Sequence, residues 1–267
     1  MLGKEVRMNR LMPSSDGKYL GITIDHSIAR GVLPGLDTIH QTLKCIVAGR
    51  PNCVTMLKGI ADNCWNPYAG IIPFSLKLTT FGVYHRDEDV EIADMDEAVA
   101  LGADAVSCGC IVGGDNQNQQ IKQLAKISKE AHKLGYPLIC HIYPRGNYIQ
   151  DQRSIENVTY AARVAAELGV DIIKTTYTGS AESFAKVVQA IPTKVAIAGG
   201  TDCNTVEEFL QMTYDVMQSG AIGVTYGRFV FQYNDPTSLI KTLSEIIHNN
   251  LSVHEAMELL KELENER

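Results

Sequence analysis

The residues with chemistry to offer stand at the ends of short apolar runs. Lys174 follows Asp171-Ile-Ile and precedes Thr175-Thr176-Tyr177. A lysine is almost never buried without a partner. Either its ammonium pairs with a carboxylate, Asp25 at the end of Gly21-Ile-Thr-Ile being the obvious one, or burial lowers its pKa and makes the amine a nucleophile towards a carbonyl carbon. Asp25 also has a plain reading, as a cap for the turn that follows. His141 and Tyr143 share the parity of a single run, with Tyr143 nearer its end. A phenol beside an imine-forming lysine moves protons during carbon–carbon cleavage. As an ordinary core residue it would instead tie its hydroxyl to backbone. Arg145 opens the loop beyond, where a surface carboxylate would be its plain partner.

Two loops supply a different chemistry. Gly199 and Gly200 follow Ala196-Ile-Ala, and Gly227-Arg228 follows Gly223-Val-Thr-Tyr. Backbone N–H groups left open by glycine, beside an arginine fork, suit a phosphate. A single glycine pair is usually only a turn. Two glycine loops after consecutive runs, one of them carrying arginine, are more specific. His26, directly after Asp25, and His141 are candidate substrate contacts. A metal is less favoured: Cys108-Gly-Cys110 offers one close ligand pair, with His26, His85 or His141 as remote partners, where a structural zinc site brings two pairs. The plain reading is buried free thiols.

The elements that must position these residues follow a simple alternation. Strand-like runs cover 20–25, 52–57, 71–76, 104–108, 137–143, 171–175, 194–198 and 222–226. Between most of them lie stretches of helical period, as in 121–134. Near-continuous apolar strands indicate a parallel sheet covered on both faces. Gly49, Gly102, Gly135, Gly169 and Gly220 stand where helices stop before the next strand, each able to take the left-handed cap. Eight strands sharing that joint predict an α/β fold of the (β/α)8 TIM-barrel type, in one domain over 1–267. A doubly wound open sheet is the runner-up, but Asp25-His26-Ser27 stands where its Gly-rich turn belongs. In a barrel the strand ends converge on one mouth, which gathers the candidate residues. The stretch 63–70 reads as a loop, 80–89 as a polar excursion around the third strand, and 252–267 as a closing helix capped by Ser252 and Glu255.

Composition bounds the function without choosing it. The chain has 267 residues, 45% of them hydrophobic, and a net charge of −7 with no basic block. That argues against a general nucleic-acid binder and leaves a local anion pocket open. No apolar run reaches the roughly 20 residues of a membrane span, and residues 1–16 lack a signal-peptide core. Seven scattered cysteines read as reduced thiols of a cytoplasmic protein.

Lys174-Thr-Thr-Tyr-Thr-Gly179, Tyr143-Pro-Arg-Gly146, Ala198-Gly-Gly200 and Gly227-Arg228 with Phe231-Gln232 together resemble the DhnA-type class I aldolases. That family includes archaeal-type fructose-bisphosphate aldolase and 2-amino-3,7-dideoxy-D-threo-hept-6-ulosonate synthase. The resemblance spans nearly the whole chain and is densest over 135–248. It implies a barrel with a Schiff-base lysine, no metal or other cofactor, a phosphorylated ketose and an aldehyde as partners, and homo-oligomers of five or ten subunits. By position Lys174 matches the Schiff-base lysine, Tyr143 the proton-transferring tyrosine and Asp25 the strand-1 aspartate. Gly199, Gly200, Gly227 and Arg228 match the phosphate loops. The amino-terminal half departs from the pattern. Leu57-Lys58-Gly59 replaces His-Lys-Gly, and Pro73-Phe-Ser-Leu-Lys77 replaces a His-Leu-Ser stretch. Gly109-Cys-Ile111 replaces His-x-Asn, and Asp25-His26-Ser27 replaces Asp-His-Gly. Lys58 and Lys77 are thereby left as two candidates for a second cation in the pocket. Related readings are acetyl transfer on an autoinducer-2-like phosphate and a non-catalytic sugar-phosphate binder.

Overall fold

Each strand-like run ends where a polar or glycine-rich segment takes over, and in the computed structural model those runs close on themselves. The structure describes residues 1–13, 16–200 and 203–266. Its strands are β1 (Tyr19–Thr23), β2 (Cys53–Met56), β3 (Phe74–Lys77), β4 (Thr79–Gly82), β5 (His85–Glu91), β6 (Ala105–Val112), β7 (Leu138–Pro144), β8 (Ile172–Thr176), β9 (Lys194–Ala198) and β10 (Gly223–Tyr226). Eight of them form a closed barrel in the order β1-β10-β9-β8-β7-β6-β3-β2, with every neighbouring pair parallel. Closure removes the open-sheet alternative, because no strand of the barrel is left as an edge.

Helices follow the predicted joints. Gly102, Gly135, Gly169 and Gly220 all have positive φ, between 68° and 85°. Gly49 is a correction: it lies inside the helix Ile39–Gly49, and the left-handed cap is Arg50 at φ 56°. The segment 63–70 is also more ordered than a loop. It joins the helix Lys58–Cys64 to a 3-10 turn, Asn66–Tyr68, and packs Trp65 against Phe74. The third strand starts later than expected and runs through Lys77, which carries that lysine into the barrel wall. The polar excursion is an antiparallel hairpin, β4 with β5, inserted between the barrel neighbours β3 and β6. The closing helix is Val253–Asn265, capped reciprocally by Ser252 and Glu255 and packed through Ala256 and Leu260; Arg267 lies outside the described residues.

The barrel interior is layered. At the amino-terminal ends of the strands, Tyr19, Cys53, Ala105, Ile139, Ile172 and Ala196 form a dry floor with Leu11. The helix Leu2–Leu11 seals that end from below. Arg7 stacks 4.0 Å over the Tyr136 ring and donates to the Gly135 carbonyl at 3.1 Å, while Lys4 pairs with Asp171 at 2.6 Å. A plugged floor leaves the opposite end as the entrance.

Candidate active site

The strand ends enclose a cavity of about 920 Å³ at the carboxyl-terminal face, lined by Asp25, His26, Lys77, Asp89, His141, Tyr143, Lys174, Gly199, Gly227 and Arg228 among others. Strand parity explains the gathering, since alternate residues point inward and neighbouring strands are held in register. His141 on β7 lies beside Lys174 on β8, and Gly109 on β6 lies beside His141.

Lys174 is 6% exposed. Among the described residues no carboxylate comes within 4.0 Å of its nitrogen, so the simple buried ion pair with Asp25 is not what holds it. Burial is the main cause that depresses its pKa, and the Lys77 charge adds to it. The Asp25 carboxylate opposes both, leaving a value of about 8. An amine near 8 is nucleophilic at neutral pH to an extent an ordinary lysine is not.

Asp25 sits two residues beyond β1, with Oδ1 3.6 Å from His26 Nδ1 and Oδ2 4.0 Å from His141 Nδ1. Burial pushes its carboxyl up, but His26, Lys77 and Lys174 outweigh burial and hold it below the usual carboxylate value. His26 itself is driven by burial down to about 4, against the pull of Asp25. It is therefore neutral at pH 7, and the two lysines supply the lasting positive field around the Asp25 anion. Burial first, then the Asp25 charge, raises the Tyr143 phenol well above its ordinary value, so Tyr143 keeps its proton. His141 is pushed down by burial and by the lysines, and its Nδ1 lies 3.2 Å from Lys77 Nζ. With Lys77 donating, Nδ1 is the acceptor and the ring proton resides on Nε2.

The glycine loops divide. Gly199, Gly227 and Arg228 line the cavity. Gly227 permits a close approach, because a Cβ there would stand 2.4 Å from His26 Cε1. Gly200 does not line the cavity; its Cβ position faces the Phe209 ring at 2.7 Å. Arg145 reaches the rim, where it donates to the Arg86 carbonyl at 3.0 Å and lies 4.0 Å from Asp87, so it ties the mouth to the hairpin. Cys108 and Cys110 belong to the core between barrel and helices, on the face of β6 opposite Gly109. Among the described residues no group of three His, Cys, Asp or Glu side chains is arranged to hold a metal ion.

Two lining residues were not legible beforehand. Lys58 turns outward and pairs with Glu97 at 2.7 Å, whereas Lys77 is 4% exposed and faces the cavity. Asp89 enters from the hairpin, also 4% exposed, within a stretch that reads only as polar.

The DeoC/LacD family aldolase model matches residues 20–233. The chain is 36% identical over 258 residues to 2-amino-3,7-dideoxy-D-threo-hept-6-ulosonate synthase of Halobacterium salinarum, covering 96% of this chain and 95% of that one. It is 29% identical over 252 residues to 2-amino-4,5-dihydroxy-6-oxo-7-(phosphonooxy)heptanoate synthase of Streptomyces griseus, covering 92% and 91%. Among solved structures, an archaeal fructose-1,6-bisphosphate aldolase with its catalytic lysine covalently bound to the carbinolamine intermediate superposes with a TM-score of 0.82. It shares 30% identity over 90% of this chain and 99% of that one.

Proposed function

This chain belongs to the DeoC/LacD aldolase family, and from that premise we propose that Lys174 is the Schiff-base nucleophile for a phosphorylated ketose. The observation that carries the reading is a buried amine, its pKa lowered by burial to about 8, that shares one cavity at the barrel mouth with an ionised Asp25 and a protonated Tyr143. Lys174 Nζ adds to the ketone carbon, and loss of water gives an iminium that draws electrons from the adjoining carbon–carbon bond. In the cleavage direction the hydroxyl across that bond gives up its proton, the aldehyde departs, and the electron pair becomes an enamine. Protonation of the enamine and hydrolysis return the ketone and the free lysine. In the condensation direction Tyr143 holds the proton that the developing alkoxide needs, and Asp25 is the anion that accepts protons and steadies the iminium charge.

The Gly199 and Gly227 backbone with Arg228 is the part of the mouth suited to the phosphate, so binding there orients a carbon that reacts further along the substrate. Both relatives are named for a seven-carbon keto acid, and the name of the second, a 6-oxo-7-(phosphonooxy)heptanoate synthase, carries the phosphate that supports a phosphorylated ketone as substrate class.

The test is reduction of the trapped imine. Borohydride with dihydroxyacetone phosphate should add the reduced ketone to the protein, and peptide mapping should locate it on Lys174. An unchanged intact mass with this ketone, fructose 1-phosphate and fructose 1,6-bisphosphate alike defeats the Schiff-base reading.

A further inference from the structure

Three residues of neighbouring barrel strands meet at one place in the cavity wall. Lys77 ends β3, Gly109 lies on β6 and His141 on β7. Lys77 pairs in register with Ser107, and Gly109, two residues further on the same face, pairs with His141. At that level β6 therefore presents no side chain between its neighbours. Lys77 reaches across the gap, which brings Nζ to 3.2 Å from His141 Nδ1. A carboxylate fills the rest of the space: a Cβ on Gly109 would stand 2.2 Å from Asp89 Oδ2.

Asp89 is aimed there by its backbone. Its N–H donates to Gln120 Oε1 at 3.2 Å, and its carbonyl accepts from Gln120 Nε2 at 2.9 Å and Gln123 Nε2 at 3.2 Å. These contacts from the helix Gln117–Leu134 clamp β5 at the one residue of that strand which is buried. Burial raises the Asp89 carboxyl above its ordinary value, Lys77 and Thr79 offset part of that rise, and the Thr79 oxygen accepts from the Gly109 N–H at 2.6 Å. Asp89 Oδ1 and His141 Nε2 nevertheless have no hydrogen-bond partner. Leaving a buried acceptor and a buried donor unpaired forfeits their hydration with nothing in return, and such groups persist where something else completes them.

We propose that Asp89, His141 and Lys77 form a subsite that reads a hydroxyl on the aldehyde half of the substrate, so that α-hydroxyaldehydes are preferred over plain alkyl aldehydes. The inference rests on the aldolase reading above. A hydroxyl is the small group that donates and accepts at once: its proton goes to Asp89, and its oxygen takes the His141 Nε2–H or a Lys77 N–H. An alkyl aldehyde does neither and leaves both groups unpaired, which is how a polar pocket rejects an analogue lacking its hydroxyl.

The experiment condenses dihydroxyacetone phosphate with D-glyceraldehyde or with propionaldehyde. Wild-type kcat/KM should favour glyceraldehyde at least about tenfold. Asp89→Ala should lower kcat/KM for glyceraldehyde by about tenfold to a hundredfold while leaving propionaldehyde within about twofold. Gly109→Ala, whose methyl evicts the carboxylate, should do the same from a different strand. Should Asp89→Ala not fold, the isosteric Asp89→Asn shows the same direction at smaller size. Equal losses for both aldehydes, or a wild type indifferent to the hydroxyl, overturns the subsite. Borohydride trapping of dihydroxyacetone phosphate alone separates the two failures. Trapping with an unaltered aldehyde preference in the variants defeats only the subsite, and absence of trapping in the wild type defeats the aldolase reading itself.

Discussion

The amine of Lys174 should titrate in a window that two neighbours move in opposite directions. With a pKa of 10.5 about 0.03% of lysines are neutral at pH 7; at about 8 the fraction is about 9%, roughly 300-fold more nucleophile. Burial supplies most of that change and Lys77 a part, while Asp25 works against it. Replacing Lys77 with Met removes a cation, so the midpoint should rise by about one pH unit. Replacing Asp25 with Asn removes the opposing anion, so it should fall by about as much. The assay is the single-turnover rate of borohydride trapping with dihydroxyacetone phosphate, followed by intact mass from about pH 6 to pH 10.5, reading the midpoint rather than the plateau. The plateau also reports the proposed proton-transfer role of Asp25; the midpoint does not. A wild-type midpoint near 10.5, or two variants that shift the same way, would refute the electrostatic account of the site.

Three further outcomes follow from the same physics. Lys174→Met should abolish trapping yet raise stability at pH 7 by about 1–3 kcal/mol, because an unpaired buried ammonium is removed. Between about 8 and 10.5 the unfolded lysine binds a proton that the folded one has released, so wild-type stability rises with pH there and the variant's advantage should shrink in calorimetry. His26 is held near 4 against its usual 6.5 and contributes about 2–3 kcal/mol of a decline in wild-type stability as pH falls through that interval; His26→Gln should remove that share in urea titrations and leave the share of His141, while Asp25 acts only below 3.8. Leu11→Ala opens a cavity under the dry floor and should cost about 2–5 kcal/mol in chemical denaturation with kcat/KM unchanged, since Leu11 lies at the end of the barrel away from the mouth.

How much was legible depends on which physical rule each feature obeys. Lys174, Asp25, Tyr143 and the Gly199 and Gly227 loops could be read in the chain because each closes an apolar run, and a parallel barrel brings the ends of such runs to one face. The joints at Gly102, Gly135, Gly169 and Gly220 were legible for a local reason, the positive φ that a helix stop demands. Gly49 looked the same in the chain. There the neighbouring Arg50 takes the left-handed cap, and the close packing of Ile240, 2.7 Å from a Cβ on Gly49, accounts for the glycine.

The sequence by itself therefore determined the barrel, its mouth and the place of the proposed Schiff-base lysine, because strand period and strand ends are properties of a segment. Only the tertiary structure decided which charges face that lysine. Lys77 meets His141 across 64 residues of chain, and Asp89 enters from a hairpin that reads as a polar loop. Periodicity tells which face of its own strand a residue takes. What stands opposite is set by register and by closure of the ring, and burial in that company is what brings the amine to about 8.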